Sequence, residues 1–297
     1  NKSNIINSFD NVLGDEMTSL GILGTMLHKD EIFISYAKSS KKIDNCFHMA
    51  ISKSKINYKK LFFEEIFSTK KCDENSGYDF GGGRMVPLIE NNKEYVLITT
   101  SDYSGNNAQD LDSQYGKILQ ISLDKYEYQI FSLGHRNPQG LININNKILS
   151  TEHGPMGGDE INLIKKNSNY GWKIASYGEP YKNFSNENEY KLLKSHKKND
   201  FEEPIYAYTP SIGISEIINI NKNFINKWEN NFLITSLNGR SIYRAVFNEH
   251  FSKVITQEKI FIGERIRDII YDKNNNIFLL ALEDTGSIGI LSKKNFN

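Results

Sequence analysis

The 297-residue sequence predicts an all-β fold. Three observations carry this: short runs of β-branched and aromatic residues set off by turn signals, a scarcity of amphipathic helical stretches, and one strand–strand–turn–strand pattern that recurs from end to end. The pattern reads GRMVPLI, EYVLITTSD and GKILQISLD over 83–124. It returns as GLININ, KILSTEHG and DEINLIK over 140–165, and as ISEIINI, NNFLITSLNG and RSIYRAVF over 214–247. The last copy is IRDIIYD, NIFLLALEDTG and SIGILSK over 266–293, and a less regular early copy spans 21–68.

Repeats at intervals of roughly 40–65 residues have the spacing of propeller blades. A sheet this small cannot bury both faces alone, and radial stacking supplies the missing partners. A β-sandwich would not place similar turns at the ends of similar second strands. The expectation is one β-propeller domain over 1–297 with about five blades present. The polar, Asn-, Lys- and Tyr-rich segment near 172–208 breaks the rhythm and reads as a long excursion between blades, either shaping a binding mouth or decorating the surface.

Charge and hydropathy narrow the partners. Lys and Arg total 36 and so do Asp and Glu, which gives no electrostatic reason to expect nucleic acid or an anionic membrane. The longest apolar run, 277–282, falls far short of the ~20 residues of a spanning helix. Cys46 and Cys72 flank a hairpin expected over 47–52 and 61–68; they either pair or stand as two thiols.

Three segments are too particular for generic blades. In GHRNPQG (134–140), Arg136 and Asn137 stand before a proline that holds the chain extended. That stiff loop suits a planar anionic or carbonyl ligand, or the arginine caps a neighbouring turn. In TEHGPMGGDEINLI (151–164), Gly154, Pro155 and two further glycines expose carbonyl oxygens, with Asp159 and Glu160 beside them. Oxygen donors of this kind suit Ca²⁺, and a tight turn with surface acids is the alternative. In ERIRDI (264–269), Arg265 and Arg267 share one face of a strand and need an anion or a carboxylate between them.

With GILG at 21–24, GGR at 82–84, AQDLDSQYGKIL at 108–119, NYGW at 169–172 and EEPIYAYTPSIGIS at 202–215, these motifs fall in order over nearly the whole chain. The sequence resembles the soluble pyrroloquinoline-quinone (PQQ)-dependent aldose sugar dehydrogenases, the glucose/sorbosone dehydrogenase family of six-bladed propellers. The resemblance implies that Arg136 and Asn137 contact the quinone, with Arg136 catalytic near its reactive carbonyls. It implies that Arg265 and Arg267 hold the quinone's carboxylates, and that the Gly154 and Pro155 carbonyls bind the Ca²⁺ seated on the cofactor. Glu160 and Tyr170 match positions that bind a second, structural calcium, and Asp102 matches the aspartate that orients the catalytic histidine. An exported, periplasmic or secreted protein acting on an aldose sugar follows from the same resemblance; the electron acceptor is left open.

The departures are specific. Where the family has its histidine base, YDFGGGR (78–84) offers Phe80, or Asp79 if one extra glycine is allowed. Ser19 and Asn238 stand where the family has a glutamine and a lysine that touch the cofactor. Losing a general base costs about 10²–10⁴-fold, and Asp79 substitutes only if desolvation raises its pKa. Five legible blades against six also lead us to expect about 40–60 further N-terminal residues, one repeat. Three readings follow: a quinoprotein sugar oxidoreductase impaired by the lost histidine; a non-catalytic, calcium-stabilised propeller that binds a sugar, an anion or a partner protein; or a calcium-dependent lactone hydrolase. The last needs side-chain carboxylates around the axial metal, where the 154–155 loop offers carbonyls. His135 and His153, inside matched motifs, read as structural or as a displaced base, and His28, His48, His196 and His250 as surface or hairpin packing.

Overall fold

The computed structural model describes residues 17–72, 81–102, 105–181 and 191–293, with the side chains of 17–20 excluded. It resolves into two compact units. One contains the described residues up to Pro138 together with Lys166–Lys173; the other contains Gln139–Lys165 and the described residues from Ile174 onwards.

Two blade sheets make up the first unit. The first runs β1 (Met17–His28), β2 (Glu31–Ser40), β3 (Phe47–Lys55), β4 (Glu64–Ser68) in sequence order, every neighbour antiparallel. The second contains β5 (Gly82–Glu90), β6 (Lys93–Thr100), β7 (Lys117–Ser122) and β8 (Tyr128–Leu133), again a meander. Phe33, Met49 and Ile51 of the first sheet meet Val96, Ile98, Leu119 and Ile121 of the second in one core, all fully buried. Each such side chain contributes about 1.5–3 kcal/mol when removed from water.

The glycines of the GILG and GGR motifs have a packing reason. β1 and β5 approach so closely at Gly24 and Gly83 that a Cβ on Gly24 would lie 2.5 Å from the Gly83 carbonyl oxygen. Ser35 Oγ donates to that same carbonyl. No side chain fits there.

Three blade sheets make up the second unit. β9 (Pro138–Ile144), β10 (Lys147–Glu152) and β11 (Asp159–Ile164) form a meander. β12 (Ser168–Asn169), which belongs to the first unit, pairs parallel with β8 there, and β13 (Tyr206–Tyr208), at the end of the 172–208 segment, joins β11 as the outer strand of its blade. The next sheet is β14 (Ile214–Asn219), β15 (Phe232–Ser236), β16 (Ser241–Phe247), β17 (Val254–Phe261). The last is β18 (Ile266–Asp272), β19 (Ile277–Leu282), β20 (Ser287–Leu291), three strands in order.

The chain is therefore all-β, with five sheets of propeller-blade type among the described residues, as the repeats predict. Cys46 and Cys72 form a disulfide across the expected hairpin, which settles the pairing that spacing alone leaves open.

Candidate functional site

In the first unit the matched motifs converge on one buried loop system. Asp102 lies just past the end of β6 and is 1% exposed. Its Oδ1 accepts the Gly105 N–H at 2.9 Å, and its Oδ2 accepts those of Asn107 and Ala108 at 2.7 and 2.6 Å. Lys117, fully buried at the start of β7, closes the same loop from its carbonyl side. Its ammonium donates to the oxygens of Asn107, Ala108 and Tyr115 at 2.7–3.1 Å. Burial pulls that ammonium down to about 8, with the charges of Asp102 and Asp110 working in the opposite direction.

The GHRNPQG loop is fastened to this system. Gly134 and His135 donate their N–H groups to Ala108 and Gly116, and Asp102 donates its own to the Arg136 carbonyl at 2.7 Å. Gly134 has φ +79°, and a Cβ there would lie 2.1 Å from Asn169 Oδ1, so the loop and the NYGW motif interlock only with glycine. Trp172 Nε1 donates to the Asp102 carbonyl at 2.7 Å. Its ring carries the Arg136 guanidinium at 5.4 Å from the centroid. Arg136 is thus a cation 8% exposed on an aromatic face, with the buried Asn137 next to it. Tyr170 is buried, its ring stacked at 4.7 Å on fully buried His135, whose Nε2 bonds Ser132 Oγ. This loop system brings Asp102, Arg136, Asn137 and Tyr170 together, with the Asp102 carboxylate engaged by backbone amides. Asp79 and Phe80 lie outside the described residues.

In the second unit Asp159 plays the part that Asp102 plays in the first. It is 1% exposed; Oδ1 accepts the Gly154 N–H at 3.2 Å, and Oδ2 those of Ile212 and Ile214 at 3.0 and 2.9 Å. Asp159 is therefore not the surface acid of the tight-turn alternative: it is buried and clamps the 154–158 loop to 212–214. The Pro155 carbonyl accepts Tyr181 Oη at 3.0 Å. Its second lone pair, and the Gly154 carbonyl, are hard oxygen donors of the kind calcium takes.

Glu160 stands beside this clamp and faces Glu152 directly across the β10–β11 pair. Two like charges opposite each other in a sheet repel, and both carboxyls are buried. Burial first, then the Glu152 charge, push the Glu160 carboxyl well up, while Asn162 Nδ2, donating at 3.2 Å, works in the other direction. A proton or a cation relieves such an arrangement, so the donor set fits a divalent metal. His196 Nε2 lies 3.5 Å from Glu160 Oε1. This corrects the expectation of surface packing for His196: it is buried, tilted against Tyr177, and burial pulls its imidazole down. His153 Nε2 donates to the Ile214 carbonyl, which makes it structural.

Arg265 and Arg267 share one face, and the group between them is Glu283, from the segment after β19. Arg265 Nη2 lies 3.4 Å from Oε1 and Arg267 Nη2 2.9 Å from Oε2. Arg267 Nη1 also donates to Gln139 Oε1 at 3.3 Å. The pair carries one net positive charge with Glu283 counted, and both guanidiniums keep substantial exposure. Glu283, Lys117 and Glu152 escaped the sequence reading. Lys117 had a signal, a lone lysine opening the apolar run KILQI.

A pH test follows from Glu160. The unfolded chain ionises this carboxyl near its ordinary value of 4.5, whereas the folded chain retains the proton to higher pH. Above that value the unfolded state binds fewer protons, so this group's contribution to stability falls as pH rises. Glu160→Gln mimics the protonated form. Without divalent cations it is expected to leave the melting temperature unchanged near pH 4 and to raise it near pH 7. Thermal melts of both proteins across that range check it; a variant melting lower at neutral pH contradicts the reading.

The profile of the glucose/sorbosone dehydrogenase family matches residues 3–290. The chain is 28% identical over 240 residues to an aldose sugar dehydrogenase of Escherichia coli, an alignment covering 74% of this chain and 62% of that protein. It is 27% identical over 270 residues to quinoprotein glucose dehydrogenase B of Acinetobacter calcoaceticus, covering 71% of this chain and 56% of that one. Against both, the match takes in less than two thirds of the relative's length. The solved soluble aldose sugar dehydrogenase of Escherichia coli, in its apo form, superposes with a TM-score of 0.74 at 25% identity, over 89% of this chain and 78% of that one. On sequence profile and fold alike, the chain belongs to the glucose/sorbosone dehydrogenase family.

Proposed function

We propose that the protein is a quinoprotein-type oxidoreductase that oxidises an aldose at C1 to a lactone, using PQQ with Ca²⁺. The observation that carries the reading is Arg136, a cation held nearly out of water on the Trp172 face by a loop whose backbone Asp102 and Lys117 pin from both sides. A rigid guanidinium of this kind holds a planar, electron-rich carbonyl ligand in one orientation. Bound PQQ with Ca²⁺ would supply the two-electron acceptance that oxidation of the sugar requires. In our reading Arg136 and Asn137 contact the quinone, while Arg265 and Arg267 receive carboxylates. The Gly154 and Pro155 carbonyls serve one calcium. Glu160 serves a structural one, with Tyr170 assigned to it by resemblance. Asp102 is read as positioning the loop.

The proton of the sugar's anomeric hydroxyl needs an acceptor, and Asp79 is assigned to it in place of the family's histidine. An aspartate there leaves turnover impaired, by about the 10²–10⁴-fold a general base is worth, unless its surroundings raise its pKa. A periplasmic or secreted location accords with the Cys46–Cys72 disulfide. Among the described residues no helix is long and apolar enough to cross a membrane.

One observation favours a second reading, a non-catalytic calcium-stabilised propeller that binds a sugar, an anion or a partner protein. Glu283 already neutralises part of the arginine pair, so an incoming carboxylate competes with it.

The test is to titrate the protein with PQQ in excess Ca²⁺, then add a panel of aldoses while following the quinone absorbance. Binding with sugar-dependent reduction is expected; binding without reduction supports the second reading, and no binding refutes the first. Glu283→Gln removes the competing charge and is expected to tighten PQQ binding by a few-fold to about tenfold, since exposed pairs are worth up to ~1 kcal/mol. Affinity that is unchanged or weaker in this variant would mean the arginine pair is not a carboxylate receptor.

A further inference from the structure

Outside the candidate ligand residues named above, Cys46, His48 and Cys72 place three metal-ligating atoms within 4.8 Å of one another. We propose that this cluster is a redox-gated site for a thiophilic divalent cation, Zn²⁺ by its donor set: closed as the disulfide, and open to metal when reduced. This goes beyond the proposed sugar chemistry and does not rest on it.

The imidazole is arranged as a ligand. His48 Nδ1 lies 2.9 Å from the Thr69 carbonyl, a contact in which the ring nitrogen must donate. That fixes the proton on Nδ1 and leaves the Nε2 lone pair facing the sulfurs, at 3.4 Å from Cys46 Sγ and 3.7 Å from Cys72 Sγ. A carbonyl behind the ligating histidine is the usual outer support of a zinc imidazole. In the disulfide neither sulfur carries a proton to donate to Nε2, so the lone pair gains little from its position until the bond opens.

The cluster is also held without the S–S bond. Thr69 donates its N–H to the Met49 carbonyl, and Thr69 Oγ1 accepts the Met49 N–H at 3.1 Å. Tyr115, buried, donates its hydroxyl toward the carbonyls of Phe47 and Lys71 at 2.9 and 3.0 Å, and its oxygen lies 2.8 Å from Thr69 Oγ1. One hydroxyl thereby ties the residue after Cys46 to the residue before Cys72. Lys70 N–H adds a bond to Gln114 Oε1 at 2.6 Å. Reduction leaves these contacts in place, so the two thiols stay beside His48. Cys46 is buried and Cys72 half-buried, which opens the cluster to solvent from the Cys72 side.

The chemistry balances. A dithiol reductant passes two electrons and two protons to the disulfide and leaves as its own cyclic disulfide, giving two protein thiols. A divalent zinc ion then displaces the two thiol protons, forming two Zn–S bonds and one Zn–N bond, with water as the fourth ligand. Two thiolates neutralise the dication, and Zn–S bonds of about 2.3 Å in a tetrahedron need the sulfurs roughly 3.7 Å apart. With the Cα atoms 4.8 Å apart, side-chain rotation at Cys72 supplies most of that opening. A disulfide oxidant reverses the sequence and releases the metal.

The experiment uses the full chain, reduced with a phosphine that is then removed under anaerobic conditions, and titrated with Co²⁺ as a spectroscopic probe. The expected result is a sulfur-to-cobalt charge-transfer band and intense tetrahedral d–d bands that saturate at one equivalent. Both should be abolished by added Zn²⁺ and absent from the oxidised chain. His48→Ala should weaken Co²⁺ binding by more than the roughly 10–100-fold typical of losing an outer-shell partner. If a variant fails to fold, the reduced and oxidised wild-type chains decide alone. A reduced chain with two titratable thiols and a native circular-dichroism spectrum but no charge-transfer band overturns the proposal. So does Co²⁺ binding of equal strength in the oxidised chain.

Discussion

Two buried aspartates carry the irregular parts of this protein. Asp102 and Asp159 each commit both carboxylate oxygens to three backbone N–H groups. Backbone amides outside strands have no ladder to satisfy them, and each one buried without a partner costs about 1–3 kcal/mol. A charged acceptor does more than prevent that loss, since hydrogen bonds to ionised groups are worth about 1.5–3 kcal/mol each. Each unit uses the device at the loop that bears its candidate ligand groups: Arg136 and Asn137 in one, Gly154 and Pro155 in the other. In the first, Lys117 completes it by saturating carbonyls of the same loop.

Neighbouring acids with similar sequence settings meet different fates. Asp159 faces amides, whereas Glu160, one residue on and on the opposite side of β11, faces Glu152. One is a structural clamp and the other a strained carboxyl that a proton or a cation relieves. Acids also stand at or just past the ends of the second strands of three blades, as Asp102, Glu152 and Glu283. Asp102 is answered by amides, Glu152 by an opposing carboxyl and Glu283 by two arginines.

The three inner strands of each blade were legible because they repeat with alternating or continuous apolar residues and end in glycine turns. The outer strands were harder to read. β17 is largely exposed along its length, and β13, three residues inside a polar excursion, is defined by its pairing with β11 alone. Arg136 and Asn137 stood out because the following proline and the flanking glycines mark a stiff loop. The partner of Arg265 and Arg267 did not, because Glu283 meets them across a hairpin whose register only the fold reveals. Lys117 was readable in principle, as a lysine in an apolar strand. The Cys46–Cys72 pairing needed distance, which spacing does not encode.

Amide hydrogen exchange at single-residue resolution, on the wild type and on Asp102→Asn and Asp159→Asn, tests the clamp most directly. The account predicts slow exchange at Gly105, Asn107 and Ala108 and at Gly154, Ile212 and Ile214 in the wild type. In each variant its own three amides should exchange at least about tenfold faster while the strands keep their protection, because an amide side chain retains one acceptor oxygen of the two. Unchanged protection at those amides in the variants, or fast exchange there in the wild type, would contradict it.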